Sequence, residues 1–476
     1  MTRRGRLLES FAESLAHPLS YIGAVLALLS GALIIILIVL DLSGFYANPY
    51  IGVLTYLILP AAFLLGLILI PLGTMRARRR RARGEEDIYP VLDLNEPRQR
   101  RRFLLIGIIT AVNVVVFASA AYRGVEFMDS PTFCGRTCHT VMKPEFTAYR
   151  FSPHAQVRCV DCHIGRGAGW YVRSKLSGVR QVFAVAFNTY SKPIPTPVEN
   201  LRPAPETCGE CHWPEKFHGD RIRVKTHYQE DEANTPLYTI LVLKVGGGNP
   251  ESGFSRGIHW HVANEVAYTA SEDRETIYNV SVRDDDGTVR DFTKAGFEAG
   301  TAAAESLEMR VMDCVDCHNR PTHIYQMPED AVDSAILAET IDRSLPYVRR
   351  EAVRVLRQDY ADEAAAAAAI PESLRAFYAR EFPDVLADRG GAVDAAAREV
   401  VAIWKRNIFP EMEVNWGSYP DHIGHRNFPG CFRCHDEEHA TADGATITQS
   451  CDNCHTLLAV EEESPAILDQ IFPAAE

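Results

Sequence analysis

The twelve cysteines of this 476-residue chain form six close pairs, and each pair is followed directly by a histidine. Five pairs have the spacing Cys-x-x-Cys-His, whereas the first, FCGRTCH, has three residues between its cysteines. Disulfides, or zinc sites made of paired CxxC ribbons, do not require a histidine after every pair. The repeated pattern is typical of covalent haem attachment, in which both thiols bind the porphyrin and the histidine binds the iron. The six motifs are Cys134/Cys138/His139, Cys159/Cys162/His163, Cys208/Cys211/His212, Cys314/Cys317/His318, Cys431/Cys434/His435 and Cys451/Cys454/His455.

Six covalently bound haem groups determine the kind of fold to expect. Porphyrin rings would provide much of the apolar core, so that the chain needs little regular structure. Residues 223–300 contain β-rich segments, among them a hairpin pattern with Asp-Gly at the turn, IYNVSVRDDDGTVRDF. Residues 328–408 lack Cys and His and show helical patterns. The sequence therefore predicts a mainly α multihaem cytochrome c with little regular structure and a small β insert.

Histidines outside the motifs are the candidates for the second axial ligand of each iron. A strong second ligand closes the iron for electron transfer, whereas an open position admits a substrate. The segment GIHWHV is predicted as a strand, which would place His259 and His261 on one face, and we expect only His261 to be a ligand. His227 is a weaker candidate. The predicted distal ligands are His154, His323, His425, His439, His261 and His218.

Three apolar stretches at the start of the chain, 19–40, 50–72 and 103–122, are each long enough to cross a bilayer. Buried core helices are the alternative, but none of the three stretches contains a charged residue. Arginine-rich segments lie before the first stretch and between the second and third. By the positive-inside rule the N-terminus is cytoplasmic and everything after Tyr122 is periplasmic, where c-type haem is attached. The sequence thus predicts a multi-pass inner-membrane protein with three transmembrane helices.

The charge of the exported part restricts its partners. The whole chain has a net charge of −13, although its membrane segment is basic. The exported part is therefore more acidic than the chain as a whole. An acidic surface argues against nucleic acid and favours a soluble redox partner with a basic or dipolar surface.

The chain divides by composition into five segments. A membrane anchor with three spans comes first, and it is followed by the first three haem motifs. A β-containing insert ends in the fourth motif, and a helical insert separates that motif from the last two. The predicted boundaries are 1–122, 123–222, 223–327, 328–420 and 421–476.

The stretch from the third span to the third motif, with FCGRTCHTVMKPEF, YRFSPHAQVRCVDCH and ETCGECHWPEKF, resembles the NapC/NirT family of membrane-anchored multihaem cytochromes. The resemblance implies a first haem at the membrane surface with a methionine ligand, to which Met142 corresponds. It leaves open whether His139, Met142 or both bind this iron, and a Cys134–Cys138 disulfide is the alternative to a haem there. The family's quinone-site lysine corresponds to Lys175, which would otherwise be interpreted as a solvated surface lysine.

The resemblance also implies a function. We expect an inner-membrane hexahaem cytochrome that oxidises menaquinol or ubiquinol at the periplasmic face and passes electrons to a periplasmic acceptor or reductase. An acidic residue that assists proton release in the family has no clear counterpart, since Arg180 and Gln181 stand at its place. Two alternatives remain: a terminal reductase of a small nitrogen or sulfur compound with one five-coordinate haem, and a docking subunit for a partner enzyme.

Overall fold

The computed structural model divides the chain into two compact units. A membrane unit comprises Met1–Ser130 and Ile164–Gln181, and a haem unit comprises Pro131–His163 and Val182–Glu476. Residues outside the structural description are 1–16, 43–53, 55–57, 85–94, 99, 102–103, 106–107, 109–121, 138, 199–200, 214–218, 247–256, 265, 284–285, 299–306 and 473–476.

Helices are labelled here in chain order. They are α1 (Pro18–Leu42), α2 (Leu59–Ala82), α3 (His139–Arg150), α4 (Cys159–His163), α5 (Ala168–Ala186), α6 (Pro205–Cys208), α7 (Trp260–Ala263), α8 (Cys314–Cys317), α9 (Pro328–Leu337), α10 (Val348–Leu356), α11 (Glu363–Glu381), α12 (Pro383–Asn407) and α13 (Ile467–Ile471).

Helices α1 and α2 form a close antiparallel pair in the membrane unit. Small residues let the backbones approach, since a Cβ atom added to Gly23 would lie 2.7 Å from the carbonyl oxygen of Gly66. The Ser20 hydroxyl donates a hydrogen bond to the carbonyl oxygen of Ile70 over 3.0 Å. Within the described residues, Leu59–Ala77 is the one helical stretch long and apolar enough to cross a membrane, and Pro18–Ile34 is a shorter apolar helix.

The structure describes the three predicted membrane spans to different extents. The first corresponds to α1, and the second overlaps α2 from Leu59 onward. Most of the third, 103–122, lies outside the described residues. The structure therefore provides one candidate membrane helix, and a three-span anchor stays a prediction.

Helices α9 to α12 build an apolar core in the haem unit that has no cysteine or histidine in it. Ile370, Val400 and Trp404 are among its fully or almost fully buried side chains. The alanine run at 364–369 lies at the start of α11, where the Asp362 carboxylate accepts a hydrogen bond from the backbone N–H of Ala365 over 2.8 Å. Alanine has the highest helix propensity, so this run extends the helix from its cap.

Two antiparallel sheets complete the haem unit. One has the order β1-β2-β8 and the other β6-β3-β4-β5-β7, so both combine strands before and after the helical insert. The predicted hairpin is present as β4 and β5. The strands are β1 (Asp220–Tyr228), β2 (Pro236–Lys244), β3 (Ala267–Ala270), β4 (Ile277–Arg283), β5 (Val289–Lys294), β6 (Arg310–Val311), β7 (His439–Ala440) and β8 (His455–Glu462).

The strand predicted for GIHWHV is wrong. Backbone hydrogen bonds from Ala263 to His259 and from Asn264 to Trp260 close a helical turn there, which is α7. Successive residues of a helix are rotated by about 100°, so residues 259 and 261 point in clearly different directions instead of sharing a strand face.

Candidate haem sites

Five motif histidines each face a second histidine in the structure. An iron held between two imidazole nitrogens at about 2 Å from each separates the ring centroids by about 6 Å. The observed centroid distances fit such a pair, so the side chains present match the requirement of a haem with two histidine ligands. The pairs are His163–His323 at 6.2 Å (site 2), His212–His154 at 6.1 Å (site 3), His318–His259 at 6.4 Å (site 4), His435–His261 at 5.8 Å (site 5) and His455–His425 at 6.2 Å (site 6).

The ring nitrogens that would not bind iron are held by backbone carbonyl groups. A hydrogen bond from Nδ1–H to a carbonyl fixes the tautomer and leaves the Nε2 lone pair available to a metal. Five of the paired histidines have this contact. They are His154 with Pro321 (3.0 Å), His323 with Glu145 (3.0 Å), His259 with Val245 (2.7 Å), His261 with Ile258 (3.0 Å) and His435 with Thr448 (2.8 Å).

Burial keeps several of these imidazoles in the neutral form, which is the form that binds a metal. Desolvation lowers the pKa of His163 to about 4. It also lowers the pKa values of His261, His318 and His323.

Short helical turns bring the two thiols and the histidine of a motif to the same side of the chain. The backbone N–H of His212 donates to the carbonyl oxygen of Cys208 over 2.7 Å, and His318 donates in the same way to Cys314 over 2.7 Å. Such an i→i−4 bond closes one helical turn. Two cysteines and a histidine at this spacing therefore converge on one porphyrin.

Site 4 is anchored by a buried carboxylate between its cysteines. Asp316 is 3% exposed and accepts hydrogen bonds from the Tyr268 hydroxyl (2.6 Å) and from Arg310 Nε (3.0 Å). It also accepts from the backbone N–H of Asp313 over 2.7 Å, which completes a capping box at the start of α8. The motif of site 2 has the same sequence, CVDCH, but its Asp161 is exposed and pairs only with Arg158 among the described contacts.

His259 faces a motif histidine in the structure, whereas the predicted ligand His439 does not. His439 is fully buried, with Nδ1 at 2.8 Å from an Asp436 carboxylate oxygen and Nε2 at 3.1 Å from the carbonyl oxygen of Ile277. Both ring nitrogens are thus engaged, and the contact with Ile277 links β7 to the start of β4. His259, in contrast, stands opposite His318 with its ring almost parallel, at 9°.

Two further histidines were candidates in the sequence. His227 lies in β1, with Nε2 at 3.8 Å from a carboxylate oxygen of Glu461. His218 lies outside the described residues.

Site 1 accommodates the additional residue of FCGRTCH in a wider turn. Phe133–Thr137 forms a π-helical turn, whose i→i+5 bonding takes up one residue more than an α-turn. Gly135 lies against Phe146, and a Cβ atom at this position would be 2.1 Å from the ring. Met142 is half-buried on α3, whereas Cys138 and the side chain of His139 lie outside the described residues. Whether His139, Met142 or both bind iron therefore stays open.

Lys175 lies on α5 in the membrane unit, next to Tyr171, which in turn is close to an acidic residue that the sequence did not single out. Its ammonium nitrogen is 4.9 Å from the ring centroid of Tyr171. Burial and the nearby charge of Asp129 raise the pKa of Tyr171, and Asp129 itself is 6% exposed. On the same helix, Leu176 is 69% exposed. The signal that was available is the position of Asp129 five residues before Cys134.

Histidine pairs at five Cys-x-x-Cys-His motifs define a multihaem c-type cytochrome. The model of the NapC/NirT cytochrome c family, N-terminal region, matches residues 96–195. The chain belongs to this family, as predicted, and it is accordingly an inner-membrane-anchored electron-transport protein with covalently bound haem c.

Two relatives show how far the similarity extends. The cytochrome c-type protein ImcH of Geobacter sulfurreducens is 43% identical over 461 residues, which are 96% of this chain and 91% of the relative. The cytochrome c-type protein NrfH of Wolinella succinogenes is 25% identical over 111 residues, which are 23% of this chain and 62% of the relative. No solved structure matches the chain.

Proposed function

We propose that the protein is a hexahaem quinol-oxidising cytochrome of the inner membrane, which takes electrons from menaquinol or ubiquinol at the periplasmic face. The electrons go to a periplasmic acceptor or reductase, which we expect to present a basic or dipolar surface to this acidic chain. The observation that carries the proposal is the set of five histidine pairs. Bound haem supplies one-electron redox chemistry, and paired histidines reserve it for electron transfer because both axial positions are taken.

The alternative of a terminal reductase needs an iron with an open position. At sites 2 to 6 a second histidine stands where a substrate would bind. Among the six sites, only site 1, whose axial ligands are not assigned, is available for such an activity. The paired geometry therefore favours electron transfer over reduction of a small molecule.

Topology supports quinol as the electron donor. Three transmembrane helices would place the arginines at 76–83 in the cytoplasm and the haem motifs in the periplasm. Lys175 lies in the same compact unit as α1 and α2. Exposed apolar side chains on α5, Val172, Leu176 and Val179, provide a surface suited to lipid or to a quinol tail.

In the proposed site, Lys175 and Asp129 have separate roles. Oxidation of one quinol yields a quinone, two protons and two electrons. The Lys175 ammonium would bind and orient a quinol oxygen by a charge-assisted hydrogen bond. The Asp129 carboxylate would accept a proton and release it to the periplasm. Asp129 would thus be the acidic group for which the sequence pattern showed no counterpart.

Replacing Lys175 by glutamine is expected to slow reduction of the cytochrome by a quinol analogue by about 10- to 100-fold. This range corresponds to the loss of one hydrogen bond to a charged group, worth about 1.5–3 kcal/mol. The measurement is stopped-flow absorbance of the haem bands in detergent or nanodiscs. Arg173→Gln is the matched control, since Arg173 lies on the same helix with its guanidinium carbon 5.1 Å from the Trp170 ring centroid. Equal rates for K175Q and the unaltered chain would remove Lys175 from the proposed site.

The intact mass of the purified protein is expected to exceed that of the polypeptide by six haem groups. Each motif supplies two thiols and would retain one haem through denaturation. Cys134→Ser with Cys138→Ser should lose one increment, because the stretched first motif is then unable to attach haem. A mass equal to bare polypeptide with bridged sulfurs would contradict the haem assignment, and five increments with a Cys134–Cys138 disulfide would restrict it to sites 2 to 6.

A further inference from the structure

Sites 4 and 5 are joined by a single helical turn. His259 faces His318 of site 4, and His261, only two residues later on α7, faces His435 of site 5. Arg433 of the fifth motif reinforces this link, since its Nη2 donates to the backbone carbonyl of Asp316 over 2.7 Å. The two sites are therefore immediate neighbours.

Sites 2 and 3 are joined in a similar way. His154, which faces His212 of site 3, bonds through Nδ1 to the carbonyl oxygen of Pro321. Two residues further on, His323 faces His163 of site 2. One short segment thus touches both sites.

Sites 3 and 4 meet through their motifs. The side chains of Cys208 and Cys314 are close neighbours. The backbone N–H of Ala204, just before α6, lies 3.5 Å from a carboxylate oxygen of Asp313, the cap of α8. The two short motif helices are therefore held together at their N-terminal ends.

Sites 5 and 6 are joined by the segment before the fifth motif. The ring of His425, which faces His455 of site 6, stacks on Phe432 within the fifth motif at 4.2 Å. The backbone N–H of Cys431 donates to the carbonyl oxygen of Gly424 over 3.1 Å.

Site 1 meets site 2 through α3 and through its first thiol. The side chains of Cys134 and Cys159 are close neighbours. His323 of site 2 bonds to the backbone carbonyl of Glu145, on α3 directly after the first motif.

Cysteine side chains of consecutive motifs are also neighbours at three of these junctions. These contacts are Cys162 with Cys208 and Cys211, Cys317 with Cys431, and Cys454 with Cys431.

We propose that the six sites form one linear series in chain order, so that electrons enter at site 1 and leave at site 6. The inference rests on the proposed quinol oxidation for its direction, but the order itself rests on the five junctions. Site 6 is suited to be the exit because it ends the series, and because β8, which begins at His455, has exposed Leu457 and Val460. The partner would dock at this end of the series.

Removing single sites tests the order, since a break in a linear series stops electrons at that point. In the variant C314A/C317A, which lacks site 4, quinol should quickly reduce three of the five remaining haems. In C208A/C211A it should reduce two of five, and in C451A/C454A all five. Reduced haem is measured by the α-band amplitude, relative to what the same quinol reduces in the unaltered chain, and dithionite should reduce every remaining haem. Fast reduction beyond the missing site would overturn the series, and in C208A/C211A it would reveal a bypass from site 2 to site 4.

Delivery of electrons to a soluble c-type cytochrome provides a second test at the exit. We expect C451A/C454A, which removes site 6, to lower the rate of this delivery by at least about 10-fold. An unaltered rate would overturn the assignment of site 6.

Electron paramagnetic resonance of the fully oxidised protein tests the order of the sites without quinol. Loss of site 4 should alter the signals of sites 3 and 5, its two neighbours, and leave those of sites 1 and 6 in place. Changes at site 1 or site 6 instead would also contradict the order. If quinol fails to reduce the unaltered chain, the proposed function fails, whereas the resonance measurement still tests the order.

Discussion

Replacing His259 by alanine is expected to convert one low-spin haem of the protein into a high-spin haem. The reason is that His259 stands opposite His318 with ring centroids 6.4 Å apart, so its loss leaves the iron of site 4 with one protein ligand. Electron paramagnetic resonance at low temperature measures the change directly. Added imidazole should restore the low-spin signal, because it occupies the space of the removed ring.

His439→Ala is the matched control for this experiment. The sequence favours His439 as a ligand because it follows His435 by four residues, whereas His259 is 55 residues away from Cys314. In the structure His439 bonds to Asp436 and Ile277 instead. Its removal should lower stability and leave the number of low-spin haems unchanged. A high-spin signal in H439A together with an unchanged spectrum in H259A would refute the ligand set.

Attachment motifs could be predicted from sequence because the chemistry of thioether formation fixes their local spacing. Histidines that face a motif histidine were easiest to predict close to a motif, as with His154 and His425. His261 was predicted although it lies 170 residues before Cys431. His259 was not predicted because the sequence IHWHV alternates as a strand does. Only the backbone hydrogen bonds of the structure show that α7 is a helical turn. A ligand placed by tertiary structure leaves no pattern near the motif it serves.

Regular elements away from the haem sites followed their sequence patterns more closely. The hairpin of β4 and β5 formed as predicted, with Gly287 at a positive φ of 87° in its turn. Helices α9 to α12 lie where the helical patterns indicated, because their core is made of ordinary side chains. The proximity of Asp129 to Tyr171 was not predictable, since packing between distant parts of the membrane unit brings these residues together.

Replacing Asp316 by asparagine is expected to destabilise the haem unit by about 3 kcal/mol. The side chain of Asp316 is 2% exposed and lies 3.0 Å from Arg310 Nε and 3.4 Å from Arg274 Nη1. Removing one partner of a buried ion pair costs about 3–5 kcal/mol when the other charge is left uncompensated. We expect the low end of this range because Arg310 keeps its ion pair with Asp313 at 2.9 Å and the amide retains one acceptor oxygen. Burial and the charge of Asp316 also raise the pKa of Tyr268, whose hydroxyl would lose its charged acceptor. The measurement is the shift in the urea midpoint, followed by circular dichroism in detergent.

Asp161→Asn is the control, because Asp161 occupies the same position in an identical CVDCH motif. Its carboxylate is 43% exposed and pairs with an exposed arginine, a contact worth at most about 1 kcal/mol. The same substitution in the same pentapeptide should therefore have unequal effects, and the inequality measures what the surroundings of site 4 contribute. Equal midpoints for D316N and D161N would mean that the carboxylate cluster around Asp316 does not stabilise the fold. Asp316 would then serve only to close the helical turn that presents Cys314 and Cys317. Both motifs have such a turn.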